Sequence, residues 1–440
     1  MPGSYDGGGQ RVVSGMQTLA EQFDAFLFDL DGVVYVGDQP LPGSAEALGR
    51  LRAMGKAVRF LTNDPRFSRA ELAGRLNRMG IEATPEEVVS CGWATAQHLR
   101  QEGVRSAYVV GSPSLARELQ EAGIATDVAG IPQAVVVGAD ESLGYPHILR
   151  ASRFILAGAR FVATNADGSF PVPDGLAPAT GAMVRSVEAA TGQRPQIVGK
   201  PYPLMFRLAL GTLAPNARAV VVGDNPATDI LGAHQAGLPA ILVARGTPPG
   251  SAAEDSAPSA APTARDFRTP DAVIGTLLDL FRTGVPLRRW VPPPYPWPER
   301  VSPGVAAVVV DAERRVLWVR RRDNGLWSLP SGRVEPGETV QEAIRREVME
   351  EAGLAVRVVR LTGVYSEPTA QVFVYPSGEA VHFITCCFLC AVEGGRLRPP
   401  EVEVLEAAFF EPGERPPGVI TIHLQWVADA LAGQPEAFVR

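Results

Sequence analysis

Between residues 21 and 284 the chain breaks again and again into short apolar runs, most of them ending on a polar residue or a glycine. The runs at 25–28, 57–61, 107–110, 134–137, 161–163, 219–222 and 240–243 are too short for amphipathic helices. They do not alternate polar with apolar, so each reads as a strand buried on both faces. The stretches between them, such as 44–54, 69–79 and 114–122, space their apolar residues three and four apart, as a helix does. Buried strands alternating with helices restrict this part to an α/β fold around a parallel sheet. Residues 271–281 are expected to add one more helix.

Residues 1–20 are Gly-rich and polar and read as a loose tail, and the Ala/Ser/Pro-rich 248–264 as a surface loop. Residues 285–300 hold six prolines and form a stiff extended linker. Beyond it the pattern changes to a hairpin (301–310 with 315–320), one strong helix (339–352) and strands near 356–363 and 381–392. That is an α+β module. No apolar run approaches membrane-spanning length and the first twenty residues lack a signal-peptide core, so a soluble, cytoplasmic protein with no membrane partner is expected. A formal charge of −7 argues against wrapping a nucleic acid. The oligomeric state stays open.

Four of the apolar runs end on chemistry-bearing residues. Asp29-Leu30-Asp31-Gly32 follows the first, Thr62-Asn63 the second, Lys200 follows Ile197-Val198-Gly199, and Asp224 follows Val220-Val221-Val222-Gly223. Groups just past the carboxyl ends of parallel strands converge on one crevice. Carboxylates gathered there repel one another until a hard cation such as Mg²⁺ joins them. A free carboxylate can attack phosphorus, a second can donate a proton, and lysine can hold phosphoryl oxygens. Alone, Asp-x-Asp-Gly is an ordinary turn. Lysine, though, occurs only at positions 56 and 200, which makes Lys200 harder to dismiss as generic surface charge.

These residues resemble the haloacid dehalogenase superfamily of phosphatases, in the 4-nitrophenylphosphatase and nucleotidase branch, through Asp29-x-Asp31-Gly32, Thr62, Gly199-Lys200-Pro201 and Gly223-Asp224-(x)4-Asp229. The resemblance implies a Rossmann-like core (21–103 and 196–284) with a large inserted α/β cap (104–195). It makes Asp29 the nucleophile that forms a phospho-aspartate. Asp31 becomes the proton donor and a carbonyl ligand to the metal, while Thr62 and Lys200 bind phosphoryl oxygens. Asp224 ligates Mg²⁺ with Asp229 in support, and Asn63 binds phosphate or positions its loop. Asp64 stands where the branch usually has asparagine and would add negative charge at the entrance. Asn165 is expected to contact substrate or phosphate, and Asp140, Tyr145 and Asp167 to line the entrance.

The second constellation is GRVEPGETVQEAIRREVMEEAGL, from Gly332 to Leu354. Glu347, Glu350 and Glu351 stand at i, i+3 and i+4 and share one helix face. Ile344, Val348 and Ala352 form an apolar stripe beside them, and Arg346 can brace the glutamates through bidentate pairs. The segment is similar to the complete Nudix box, with Gly332, Glu338, Arg346, Glu347, Val348, Glu350, Glu351, Gly353 and Leu354 in place, which implies a Nudix hydrolase domain over 301–440. Its implied chemistry is attack of water on a nucleoside diphosphate derivative. Glu347, Glu350 and Glu351 would hold Mg²⁺ or Mn²⁺, Arg346 and Glu338 would orient them, and Glu403 or Glu406 is the candidate general base.

Cys387 and Cys390 have metal-ligand spacing but sit three apart in a strand, hence on opposite faces, and read as buried small hydrophobes. His382 and His423 stand singly and read as structural or surface residues. Trp290, Tyr295 and Trp297 in the linker are expected to pack. The favoured expectation is a bifunctional Mg²⁺-dependent hydrolase acting on small phosphorylated metabolites and nucleotide derivatives. The rivals are one working phosphatase with a nucleotide-sensing Nudix module, and a phosphate-binding scaffold without turnover.

Overall fold

The computed structural model describes residues 17–172, 175–245, 266–375, 379–398 and 403–440, so the expected tail up to residue 16 and the 248–264 loop lie outside the described residues. Two compact units divide between Pro292 and Pro293. Among the described residues no helix is long and apolar enough to cross a membrane.

In the first unit six parallel strands form a core sheet in the order Ala272–Ile274, Ala240–Val243, Ala219–Gly223, Ala25–Asp29, Ala57–Thr62, Val88–Ser90. The chain leaves Ala25–Asp29 to one side and returns on the other, so the sheet's switch point falls at Asp29. Phe26, Leu27, Phe28, Val220 and Val222 are fully buried. Each such side chain contributes about 1.5–3 kcal/mol, so the polar strand ends sit on a stiff platform. A second, four-stranded sheet, also parallel, runs Gln196–Ile197, Arg160–Ala163, Ala134–Val137, Ala107–Val110. This is the cap. Its Val136 and Val162 share one apolar cluster with Leu27 and Leu61 of the core, through the helix Cys91–Gln101.

Two expectations are corrected here. Residues 271–281 are not a helix: Ala272-Val273-Ile274 extends the core sheet as an edge strand, and only Leu277–Phe281 winds, as a 3₁₀ turn. The β-branched pair inside a three-residue apolar run outweighs the helical spacing. Lys200 does not follow a core strand either; the two-residue strand before it pairs with Arg160–Ala163 of the cap. Trp290, from the Pro-rich segment, packs into the first unit. Its ring stacks on His234 at 4.3 Å, and its backbone N–H donates to Asp271 at 2.7 Å.

In the second unit the strand Arg300–Val310 runs parallel to Ala380–Gly395 and antiparallel to Val316–Arg321 and Ser331–Arg333. Leu354–Tyr365 flanks Ala380–Gly395 on its other edge. The helix Val340–Ala352 packs Ala343, Ile344, Val348 and Ala352 against one face of this sheet, and Trp426 and Val427 of the helix Thr421–Leu431 cover the other. Cys390 joins the first of these clusters and Cys387 the second, so the two thiols lie on opposite faces.

His423 is buried in the second face. It accepts the Leu329 N–H through Nδ1 at 2.9 Å and stacks on Trp426. Burial lowers its pKa to about 3. The imidazole is therefore neutral when folded but takes a proton when unfolded below about pH 6.5. Between those values the unfolded chain binds more protons, and stability falls as pH falls, by up to about 1.4 kcal/mol per pH unit. We expect His423→Gln, which keeps an acceptor for Leu329, to flatten the acid limb of the thermal-unfolding profile. An unchanged slope between pH 6.5 and 4 would assign that limb to other groups.

Candidate active site

In the core sheet Phe28 pairs with Val222 and Asp29 with Leu61, which brings Asp29, Asp224 and Thr62 to the carboxyl ends of three adjacent strands. Asp229 comes back to them from a π-helical turn, Pro226–Ile230, of the kind often found at functional sites. Carboxylate oxygens of Asp29, Asp224 and Asp229 all lie within 4.8 Å of one another. Lys200 Nζ donates to Asp29 at 2.5 Å and to Asp229 at 2.7 Å, and is itself buried. Gly32 closes one side: with φ +87°, any Cβ there would fall 2.0 Å from an Asp224 oxygen.

Three carboxylates against one ammonium leave two uncompensated negative charges. At such separations each like pair costs roughly 4 kcal/mol at an effective dielectric of about 20. Burial pushes the Asp29 carboxyl up, against the pull of Lys200, and raises Asp224 with help from Asp229. Burial would strip Lys200 of its proton, but Asp229 and Asp29 outweigh it and hold its pKa above the ordinary lysine value. An all-oxygen donor set short of two positive charges fits a hard divalent cation.

The other expected residues are engaged in different ways. Asp31 is exposed at the tip of the loop, its carboxyl raised by partial burial. Thr62 is buried, and its Oγ1 accepts the Asp64 N–H at 3.1 Å. Asn63 and Asn165 do not offer free groups to a phosphate. Asn63 spends its amide on Lys200 and Asp167, and Asn165, 2% exposed, donates to the Asn63 carbonyl at 2.6 Å and to Thr180 at 3.1 Å. Asp140 turns back onto Ser142, and Tyr145 is exposed on the cap helix Tyr145–Leu156.

Asp64 brings no free charge to the entrance. Arg66 grips both of its oxygens, at 2.9 and 2.8 Å, and lies over the Phe170 ring at 4.2 Å. Sequence reasoning missed this pair, although the two-residue spacing across a proline was its signal.

In the second unit the helix Val340–Ala352 starts on a Thr339–Glu342 capping box. Arg346 is its hub. It binds both oxygens of Glu338, at 2.7 and 3.0 Å, then Glu347 at 2.8 Å and Glu350 at 2.9 Å. Glu351 turns inward, accepts the Ser331 N–H at 3.0 Å, and is pushed by burial to about 8. Gly332 leaves the Glu347 carboxyl its place: a Cβ would fall 2.0 Å from it. Glu403 adds negative potential at both Glu347 and Glu351, whereas Glu406 pairs across the sheet with Arg320. The donors are again all oxygen and acidic, which suits the same class of cation. They are less tightly gathered than the Asp29 cluster, since Arg346 draws Glu347 and Glu350 away from Glu351.

A family model described as haloacid dehalogenase-like hydrolase matches residues 26–125, a HAD-hydrolase-like model matches 197–279, and a NUDIX domain model matches 301–429. Dihydroxyacetone phosphatase of Corynebacterium glutamicum is 37% identical over 227 residues, 50% of this chain and 81% of that protein. Ribonucleotide monophosphatase NagD of Escherichia coli K12 is 39% identical over 220 residues, 50% of this chain and 86% of that protein. The crystal structure of a Mycobacterium tuberculosis glycerol phosphate phosphatase in complex with magnesium superposes with a TM-score of 0.53 at 34% identity, covering 61% of this chain and 79% of that one.

Proposed function

Since the chain belongs to the haloacid dehalogenase-like hydrolases and carries a NUDIX domain at residues 301–429, we propose that it is a bifunctional hydrolase. Its first unit removes phosphate from small phosphomonoesters, and its second cuts the anhydride of a nucleoside diphosphate derivative. The observation that carries the first half is Lys200 seated between Asp29 and Asp229, with Asp224 in the same cluster.

In this reading an Asp29 oxygen bonds to phosphorus as the ester oxygen leaves, and Asp31 passes its proton to that oxygen. Water then breaks the acyl phosphate and returns a proton to Asp31. Lys200 and Thr62 hold the phosphoryl oxygens throughout. Asp29, Asp224, Asp229 and the Asp31 carbonyl would hold Mg²⁺, which supplies the missing positive charge when bound. In the second unit Glu347, Glu350 and Glu351 would hold Mg²⁺ or Mn²⁺, which supplies charge neutralisation for a diphosphate. Arg346 and Glu338 fix the helix face, and Glu403, facing Glu347 and Glu351, is the better placed base for water. Sugar phosphates and nucleoside monophosphates are the substrate class that the named relatives support for the first site, and cytoplasmic metabolism is the setting that fits.

The two halves join in one experiment. With Mg²⁺, a nucleoside diphosphate sugar followed by ³¹P NMR should lose its anhydride signals, pass through monoesters and end at inorganic phosphate. Chelation with EDTA should stop both phases, and added Mg²⁺ should restore them. A surviving anhydride removes the second half of the reading; stable monoesters remove the first.

A further inference from the structure

Lys200 follows a strand of the second sheet rather than of the core sheet, so something else must fix it against Asp29. Asn63, one residue past the core strand Ala57–Thr62, does so from both sides. Its Oδ1 accepts the Lys200 N–H at 2.8 Å, and its Nδ2 donates to the Lys200 carbonyl at 2.9 Å. Space is closed as well. A Cβ on Gly199 would fall 2.6 Å from Asn63 Oδ1 and 2.6 Å from the Thr164 carbonyl, so residues 199 and 200 lie flat on that side chain.

An asparagine amide can flip, and the flipped form would set Oδ1 against the Lys200 carbonyl. Asp167 forbids the flip. Its carboxylate accepts the second Nδ2 proton at 3.0 Å, a contact that the flipped amide would replace with two oxygens face to face. Asp167 is seated in turn by its N–H on Asn165 Oδ1 at 3.0 Å, and by its carbonyl on the Gly181 N–H at 2.8 Å.

We infer that Asp167, a cap residue, is a positioning residue for phosphoryl transfer, acting through the Asn63 amide on the backbone of Lys200. The inference rests on the phosphatase reading above. It makes cap and lysine one mechanical unit, because the loop that orients Asn63 and the strand that delivers Lys200 belong to the same sheet.

The test is steady-state kinetics of the full-length protein with Mg²⁺ on three phosphomonoesters: an aryl phosphate, a glycerol phosphate and a nucleoside monophosphate. Asp167→Ala is expected to lower kcat by about 10–100-fold, the range seen when a supporting partner is lost. The factor should be the same for all three leaving groups, with KM little changed. Asp167→Asn still presents an acceptor to Asn63 and should recover most of the loss. Adding Asn63→Ala to Asp167→Ala should cost little more, since both break one chain of contacts.

A loss confined to one leaving group would make Asp167 a substrate contact and overturn the inference. So would an Asp167→Asn as poor as Asp167→Ala, or additive losses in the double variant. Should Asp167→Ala not fold, the near-isosteric Asp167→Leu carries the same expectation. Asp29→Asn separates the two levels: turnover that survives it sinks the phosphatase reading, whereas its loss beside a fully active Asp167→Ala sinks only the inference.

Discussion

Replacing Asp29 by asparagine is expected to abolish phosphomonoester hydrolysis, with kcat falling by about four orders of magnitude, roughly 5.5 kcal/mol in barrier. The amide keeps the shape of the carboxylate but cannot form the acyl phosphate. The same change should make the protein harder to unfold in the absence of divalent cations. It removes one of three mutually repelling carboxylates, leaving one uncompensated negative charge where there were two. Activity and stability thus move in opposite directions, as at sites built for chemistry rather than for folding. Anhydride cleavage by the second unit should stay within about twofold of the parent, since each site is built from residues of its own compact unit. A variant that still turns over monoesters would refute the nucleophile assignment. One that also lost anhydride cleavage would refute the independence of the two sites.

The second large effect belongs to the other unit. Glu351→Gln is expected to cut anhydride hydrolysis by about a thousandfold while leaving monoester hydrolysis intact, on the scale of removing a group that holds a reaction's charge in place. Gly332→Ala should do comparable damage without touching any acidic residue. The new methyl would fall 2.0 Å from the Glu347 carboxyl, which is already tied to Arg346. The Glu347 carboxyl must then swing off Arg346 and out of the acidic cluster, or the strand Ser331–Arg333 must shift. Measuring both activities in both variants also decides against a nucleotide-sensing module. A sensor would show no anhydride cleavage to lose, and monoester hydrolysis alone would respond to nucleotide. A fully active Gly332→Ala would mean that Glu347 is not held where the geometry puts it.

What could be read from sequence was local. Glu347, Glu350 and Glu351 share a helix face by spacing alone, and Arg346 reaches two of them because it stands one and four residues away. The short apolar runs gave the strands and their polar ends nearly to the residue, since burial on both faces leaves no other use for them. What escaped depends on partners far apart in the chain. Asn63 reads as a phosphate contact or a loop-positioning residue and Asn165 as a contact to substrate or phosphate, and the partners that engage their amides, Lys200 and the Asn63 carbonyl, stand 137 and 102 residues away. Lys200 was assigned to the wrong sheet for the same reason: a two-residue strand carries no signal of which neighbour it pairs with. The Asp64–Arg66 pair is a different lapse. The pair is local and readable from its two-residue spacing, but Arg66 lies outside the motif that carries the resemblance.

The strand Gln196–Ile197 has one more consequence, for the ancestry of such proteins. An inserted domain that owned none of the reactive groups could be traded between lineages as a cassette, cut and rejoined at its two borders. Here the downstream border cannot be cut there, because Lys200 sits three residues beyond a strand hydrogen-bonded into the inserted domain. A crossover placed ahead of that strand would pair a foreign lid with a lysine it did not shape. New substrate ranges in this lineage should therefore arise by point changes within the inserted domain rather than by wholesale exchange.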